Sequence, residues 1–174
     1  MRKRFKSFVI RLNYLRFRPR RLTLKGVKPV HTHQFNFQYF WIYGSVEPKQ
    51  GRSFFYEFSH LDASCFNKYL SLLSQEFPNE VLIILIDNAP IHTSQEVEVP
   101  DNIILFFQPP YCPEVNAIER FWEYLKQDLA WELFESLDSL RAKTDKNLNS
   151  LSNAIVGSLT GWSWILQSLC MSGL

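Results

Sequence analysis

Apolar and polar positions along the chain fall into blocks that predict a mixed α/β order. The densest block is Val81 to Ile86 (VLIILI), an unbroken apolar run of the kind found in strands buried on both faces. It stops at a carboxylate, Asp87, and the turn formers Asn88, Ala89 and Pro90 come next. A second strand-like run, Ile103 to Phe107, ends in Gln108-Pro109-Pro110. From near Asn116 the period changes: Ile118, Phe121, Leu125 and Leu129 recur at helical spacing, predicting a helix with one face on a sheet.

Upstream, the aromatic stretch Phe35 to Val46 and the segment Ser53 to Phe58 flank a turn marked by Pro48, Gln50 and Gly51. Together they predict an antiparallel hairpin. Phe66, Tyr69, Leu70 and Leu73 place an amphipathic helix over Asp62 to Ser74, started by Asp62 or Ser64 and ended before Pro78 and Asn79. After Trp131, the stretch FESLDSLRAKTDKNLNSL reads as a further helix with Ser136 as its cap. The Trp-rich GSLTGWSWILQSL reads as a closing helix or turn. The resulting order is β-β-α-β-β-α, and 174 residues predict one domain with a real core.

Composition adjusts this picture in three places. Aromatics at 16% favour a sheet-rich core over a helical bundle. Cys65, Cys112 and Cys170 are odd in number and lack CxxC spacing, which argues against a disulfide framework or a zinc site. No apolar run approaches the roughly 20 residues of a membrane span, so no membrane partner is expected. Charge is more informative. Residues 1–30 carry eleven Lys or Arg and no acid, which leaves 8 basic against 17 acidic groups in the rest, a net of −9. Such asymmetry fits a phosphate-binding arm, a loosely packed tail, or an Arg-rich transit peptide. His31 and His33 alternate just before the hairpin and fit either metal ligands or a solvated polar face.

Asp87 and Glu119 are the candidate chemistry. One ends a buried strand, where open α/β sheets bind ligands, and the other lies in the first turn of a helix. Two hard oxygen donors converging there would suit Mg²⁺ or Mn²⁺. Each residue also has a plainer reading. Asp87 would hydrogen-bond its own turn, and Asn116-x-x-Glu119 would be a capping box. Glu114 and Glu123 rank below Glu119 as alternative ligands.

The segments DNAPIH and PPYCPEVNAIERFWEYLK resemble the signature of DDE transposases of the mariner superfamily, in particular their bacterial insertion-sequence relatives. Asp87, Asn88, His92, Pro109, Pro110, Tyr111, Pro113, Glu114, Asn116, Ile118, Glu119, Trp122, Leu125 and Lys126 stand where that signature has them. Cys112, Val115 and Ala117 depart from it. RRLTLKGVKPV and YFWIYGSVEP extend the resemblance, which runs from about Arg20 to Leu166. It implies a ribonuclease-H-like mixed sheet flanked by helices. It also implies two Mg²⁺ or Mn²⁺ ions, with Asp87 bridging both and Glu119 holding one. Asn88, His92 and Lys126 become candidate substrate or DNA contacts. His92 would otherwise order the loop, Asn88 hold the Asp87 turn or orient a metal-bound water, and Lys126 be a solvated late-helix residue. The partners implied are transposon ends and target DNA, with a homodimer left open, in the cytoplasm at the nucleoid. Trp122 reads as core packing rather than a base-stacking platform.

The same resemblance implies a third carboxylate on an opening strand, and no Asp or Glu precedes Glu47. Phe5 to Arg18, where that strand is expected, does not resemble the family. No helix-turn-helix segment precedes it either. The division expected is therefore a basic segment, 1–20, and an endonuclease domain, 21–174, incomplete at its first strand, as in the C-terminal part of a transposase. Such a chain is either a metal-dependent strand-transfer domain or an inactive remnant that at most binds DNA. A small-molecule α/β protein using Asp87 is the third reading, and six scattered glycines without a phosphate loop count against it.

Overall fold

A computed structural model describes residues 3–10, 39–108, 116–129, 132 and 134–171, with backbone alone for 3–10 and 168–171. Five strands form one sheet in the order β3-β2-β1-β4-β5. These are β1 (Lys3–Ile10), β2 (Trp41–Glu47), β3 (Arg52–Phe58), β4 (Val81–Ile86) and β5 (Ile103–Phe107). Strands β1, β2 and β3 pair antiparallel, whereas β1, β4 and β5 run parallel. Helices α1 (Ala63–Glu76), α2 (Pro90–Thr93), α3 (Ile118–Leu129), α4 (Leu137–Asn149), α5 (Asn153–Thr160) and α6 (Ser163–Met171) complete the chain. This is the α/β, ribonuclease-H-like architecture.

Strand β1 departs from expectation. It lies within residues 1–20, expected to stand apart as a basic segment, yet it occupies the middle of the sheet. Its three basic residues, Lys3, Arg4 and Lys6, hide the strand signal that Phe8, Val9 and Ile10 carry. Without it, β2 and β4 would face each other with unpaired backbone groups, which a sheet centre does not tolerate. The first strand is therefore present; what it lacks is a carboxylate. Residues 11–38, including the other basic positions, His31 and His33, lie outside the described residues, as do 109–115.

Two apolar cores lie on the two faces of the sheet. On one, Phe66, Tyr69, Leu70 and Leu73 of α1 meet Trp41, Tyr43, Leu82, Ile84, Ile86 and Ile103. These four α1 residues are those the helical spacing singled out. Asp62 caps α1, its Oδ1 accepting from the Cys65 N–H at 2.7 Å. On the other face, Ile118, Phe121, Trp122, Leu125 and Leu129 of α3 meet Phe40, Ile42 and Val46, with Leu140 and Val156 behind. Because α3 gathers over β1 and β2 rather than β4, only alternate β4 residues are fully buried; Val81, Ile83 and Leu85 are half-buried. The expectation of burial on both faces is corrected accordingly.

The hairpin is tied down at its turn. Arg52 donates to Glu47 at 2.6 Å and to both oxygens of Glu80 at 3.0 Å, joining β2, β3 and the start of β4. Gly51 has φ +67, and a Cβ there would run into the Asn153 carbonyl of α5. Gly51→Ala is expected to lose about 1–3 kcal/mol from this overpacking alone, read as a lower urea midpoint at unchanged slope.

Candidate functional site

Asp87 is the first residue past β4, and its carboxylate is organised by the turn and short helix immediately after it. Oδ1 accepts the Ala89 N–H at 3.0 Å and Nδ1 of His92 at 2.8 Å. The turn reading of Asp87 is thus realised, by one oxygen. With 59% of the side chain exposed, Oδ2 remains toward solvent. The one-turn helix α2 begins on Pro90, suited to a first helical position, and carries His92 back beneath Asp87. His92 is buried, its ring 4.8 Å from that of Phe66, and its Nε2 has no partner among the described residues. It orders the loop from below. Of the two roles read for His92, substrate contact or ordering of the loop, its burial fits the second. The His92 bond, then the Ala89 amide, hold the Asp87 carboxyl below its ordinary pKa, so it is an anion near neutrality.

Asn88 bridges strands: its Nδ2 donates to the Gln108 carbonyl at 2.8 Å, while the Gln108 N–H donates to the Ile86 carbonyl at 2.8 Å. These bonds lock the ends of β4 and β5 side by side. Gln108 is buried and escaped the sequence reading; its place directly after an apolar run was the available signal.

Glu119 enters from the other side of the edge, in the first turn of α3. Asn116 sets the start of that helix, its Oδ1 accepting the Ile118 N–H at 3.3 Å. The Glu119 carboxyl is raised above its ordinary pKa, first by burial against the protein. Lys126 pulls it down, as two helical turns on one face allow, and the charges of Asp87 and Glu123 push it up. Asp87 and Glu119, far apart in sequence, thus share one electrostatic environment. Among the described residues, no group of three His, Cys, Asp or Glu could hold a metal ion.

On β1, the register runs Lys3 to Val81 through Ser7 to Leu85. Continued by two residues it sets Val9 beside Asp87, where the β1–β2 ladder is irregular. An uncharged residue therefore stands at the strand position nearest the second carboxylate. Beside Glu119 opens a cleft of about 440 Å³ between the start of α3 and the α5–α6 region.

Comparison with known proteins places this arrangement. A sequence profile described as DDE superfamily endonuclease matches residues 13–141, well over half of the chain. An uncharacterized protein of Sinorhizobium fredii, y4pE/y4sA, is 26% identical over 102 residues, spanning 58% of this chain and 76% of its own. The Mos1 transposase in a paired-end complex with the left transposon end superposes with a TM-score of 0.65 at 16% identity, over 90% of this chain and 51% of that one. The Mos1 mariner paired-end complexes with Mn and with Mg give 0.63 and 0.65, each at 16% identity over 98% of this chain and 55% of theirs. At that identity the likeness establishes the fold, and the chain spans about half the length of the Mos1 chains.

Proposed function

The chain belongs to the DDE superfamily of endonucleases, and from that premise we propose that it is the catalytic-domain portion of a bacterial insertion-sequence transposase. Its chemistry is metal-dependent cleavage and transfer of DNA strands, on transposon ends and target DNA at the nucleoid. The observation that carries this reading is that Asp87, directly past β4, and Glu119, in the first turn of α3, lie near enough for the charge of Asp87 to raise the Glu119 carboxyl.

The donor set fits one hard divalent cation, Mg²⁺ or Mn²⁺. Asp87 offers an anionic oxygen whose sister atom is already fixed, so its direction is set before a ligand arrives. Glu119 is held above its ordinary pKa by burial and by Asp87, and a cation between the two would remove that penalty. A bound ion would supply Lewis acidity toward a phosphate oxygen and lower the pKa of an attacking water. His92 keeps the Asp87 carboxylate ionised and oriented. Asn88 holds the strand ends in register beneath it, and Lys126 stands on the Glu119 face to meet a DNA phosphate. For a second ion β1 supplies no carboxylate. That observation favours a second reading, a remnant that keeps the fold and binds DNA without cutting it.

Titrating Mn²⁺ calorimetrically into the chain and into Asp87→Ala separates the two. Binding is expected in the parent and lost in the variant. It should also weaken as pH falls, because the proton competes at Glu119. The sign comes from the raised pKa: the folded state keeps that proton to higher pH than the unfolded chain, and ion binding needs it gone. The folded carboxyl therefore releases its proton above the ordinary Glu value of 4.5, and the loss of affinity sets in from that side. No heat in either protein would leave the remnant reading standing.

A further inference from the structure

The α3 face of the sheet is covered unevenly. Helix α3 lies over β1 and β2, and the β4–β5 half of that face stays open. Ile104 and Phe106 of β5 are 49% and 55% exposed. They stand in register with Ile83 and Leu85 of β4, which are half-buried, and alternation puts all four on one face. Phe107, on the other face of β5, is 39% exposed. Strand β5 is also the last in the sheet order, with β4 on its inner side. Edge strands are ordinarily protected by a charge, a proline or a bulge. Ile103–Phe107 (IILFF) carries neither charge nor proline, and its register with β4 is regular.

We propose that β5 pairs antiparallel with β5 of a second copy of this chain, joining the two five-stranded sheets edge to edge. The inference goes beyond the strand-cleaving reading and does not depend on it. Register is the first argument. Pairing centred on Leu105 sets Ile104 opposite the partner's Phe106, and Ile103 opposite the partner's Phe107. Directly opposite residues share a face, so each pair sets a β-branched chain against an aromatic, a favourable cross-strand combination. Charge is the second. The nearest charged residue before β5 is Asp101, and antiparallel pairing carries the two Asp101 carboxylates to opposite ends of the joint. A parallel pair would set them side by side, where like charges repel. Area is the third: the exposed parts of Ile104, Phe106 and Phe107 amount to roughly 300 Å² per copy, given about 150–250 Å² for a whole aromatic side chain. With the flanking strand edges, the joint approaches the lower limit of about 1,000 Å² for a specific interface, that of a reversible pair. A two-fold axis at Leu105 turns the second sheet end for end. Because β4 runs parallel to β5, the two Asp87 carboxylates then lie at opposite edges of the joined sheet. The pair separates the carboxylate sites instead of bringing them together.

The test is analytical ultracentrifugation of the chain in EDTA over about 1–1,000 µM, a range in which a small reversible interface dissociates. The mass is expected to rise from one chain toward two with concentration. Hydrogen exchange at the outward amides of β5 should slow about tenfold once about nine-tenths of the chains are paired, because exchange then proceeds only from the free copy. Phe106→Lys should stay monomeric throughout and keep the parent's urea midpoint, since the ring it replaces is exposed. A parent that is monomeric at every concentration overturns the proposal and leaves the edge to an extended segment of another protein. So does a dimer whose β5 amides exchange at the monomer rate, a result that needs no variant to fold. A folded Phe106→Lys that dimerises like the parent overturns it as well. Because no metal is present, a failure of the carboxylate pair to bind Mn²⁺ leaves these measurements intact, and the two readings fail separately.

Discussion

Trp122→Ala should cost about 3–5 kcal/mol of stability, in the range measured when a buried aromatic is truncated to alanine. Trp122 is 1% exposed and sits among Phe55, at 5.7 Å edge-on, and Phe121, at 5.2 Å. The contact with β2 is close enough that a Cβ on Gly44 would stand 2.7 Å from the indole. Neighbours on rigid strands cannot collapse into the space, so the cavity persists. Trp122→Phe should lose far less. The indole N–H is buried without a partner among the described residues, a situation that costs about 1–3 kcal/mol and that phenylalanine removes. Urea unfolding of both variants reads the difference. Equal midpoints for parent and Trp122→Ala would refute the packing role and return Trp122 to the candidates for base stacking.

The position of Trp122 was legible because it belongs to a periodic face. Ile118, Phe121, Leu125 and Leu129 repeat at helical spacing, and each is buried where that spacing put it. The same holds for Phe66, Tyr69, Leu70 and Leu73, with Asp62 as cap, and for Ser136 at the start of α4. Periodicity reports how one element meets its neighbour, so it works for single elements. It cannot report where helices gather over a sheet, and so β4 looked buried on both faces although α3 packs over β1 and β2. Nor did it reveal β1, whose basic residues are those of an exposed tail by composition, while its place in the sheet depends on strands far along the chain.

The site divides in the same way. Asp87 and Glu119 were legible because each sits at an element boundary marked by turn formers or a cap, inside a dense motif. His92 was legible with two roles open, substrate contact or ordering of the loop. Only its burial beneath Asp87 distinguishes a positioning side chain from a substrate contact. The Arg120–Trp162 contact in the cleft beside Glu119 was not legible at all, since it joins two helical regions through a cation–π contact that no spacing rule encodes.

The largest functional change is expected from Val9→Asp. Continuing the β1–β4 register two residues past the Ser7–Leu85 pair sets Val9 opposite Asp87, so a carboxylate there is expected to join Asp87 and Glu119 at the same sheet edge. Three like charges without a cation repel, so the variant should be less stable than the parent in EDTA. The deficit should shrink or vanish as Mn²⁺ is added, since a ligand that binds only the folded state stabilises it by mass action. Calorimetric Mn²⁺ affinity should rise at least about tenfold, which corresponds to about 1.4 kcal/mol of added interaction with the ion. Nicking of supercoiled plasmid should climb from background by about a hundredfold or more, since every further 1.36 kcal/mol of barrier reduction multiplies the rate by ten. Phe8→Asp, one residue off register, is the control. Side chains alternate along a regular strand, so a carboxylate at position 8 is expected to bring neither gain. Equal gains at both positions would sink the register argument. No gain at Val9, with the variant folded and Mn²⁺ bound by Asp87 and Glu119, would mean that a first carboxylate alone does not restore cleavage.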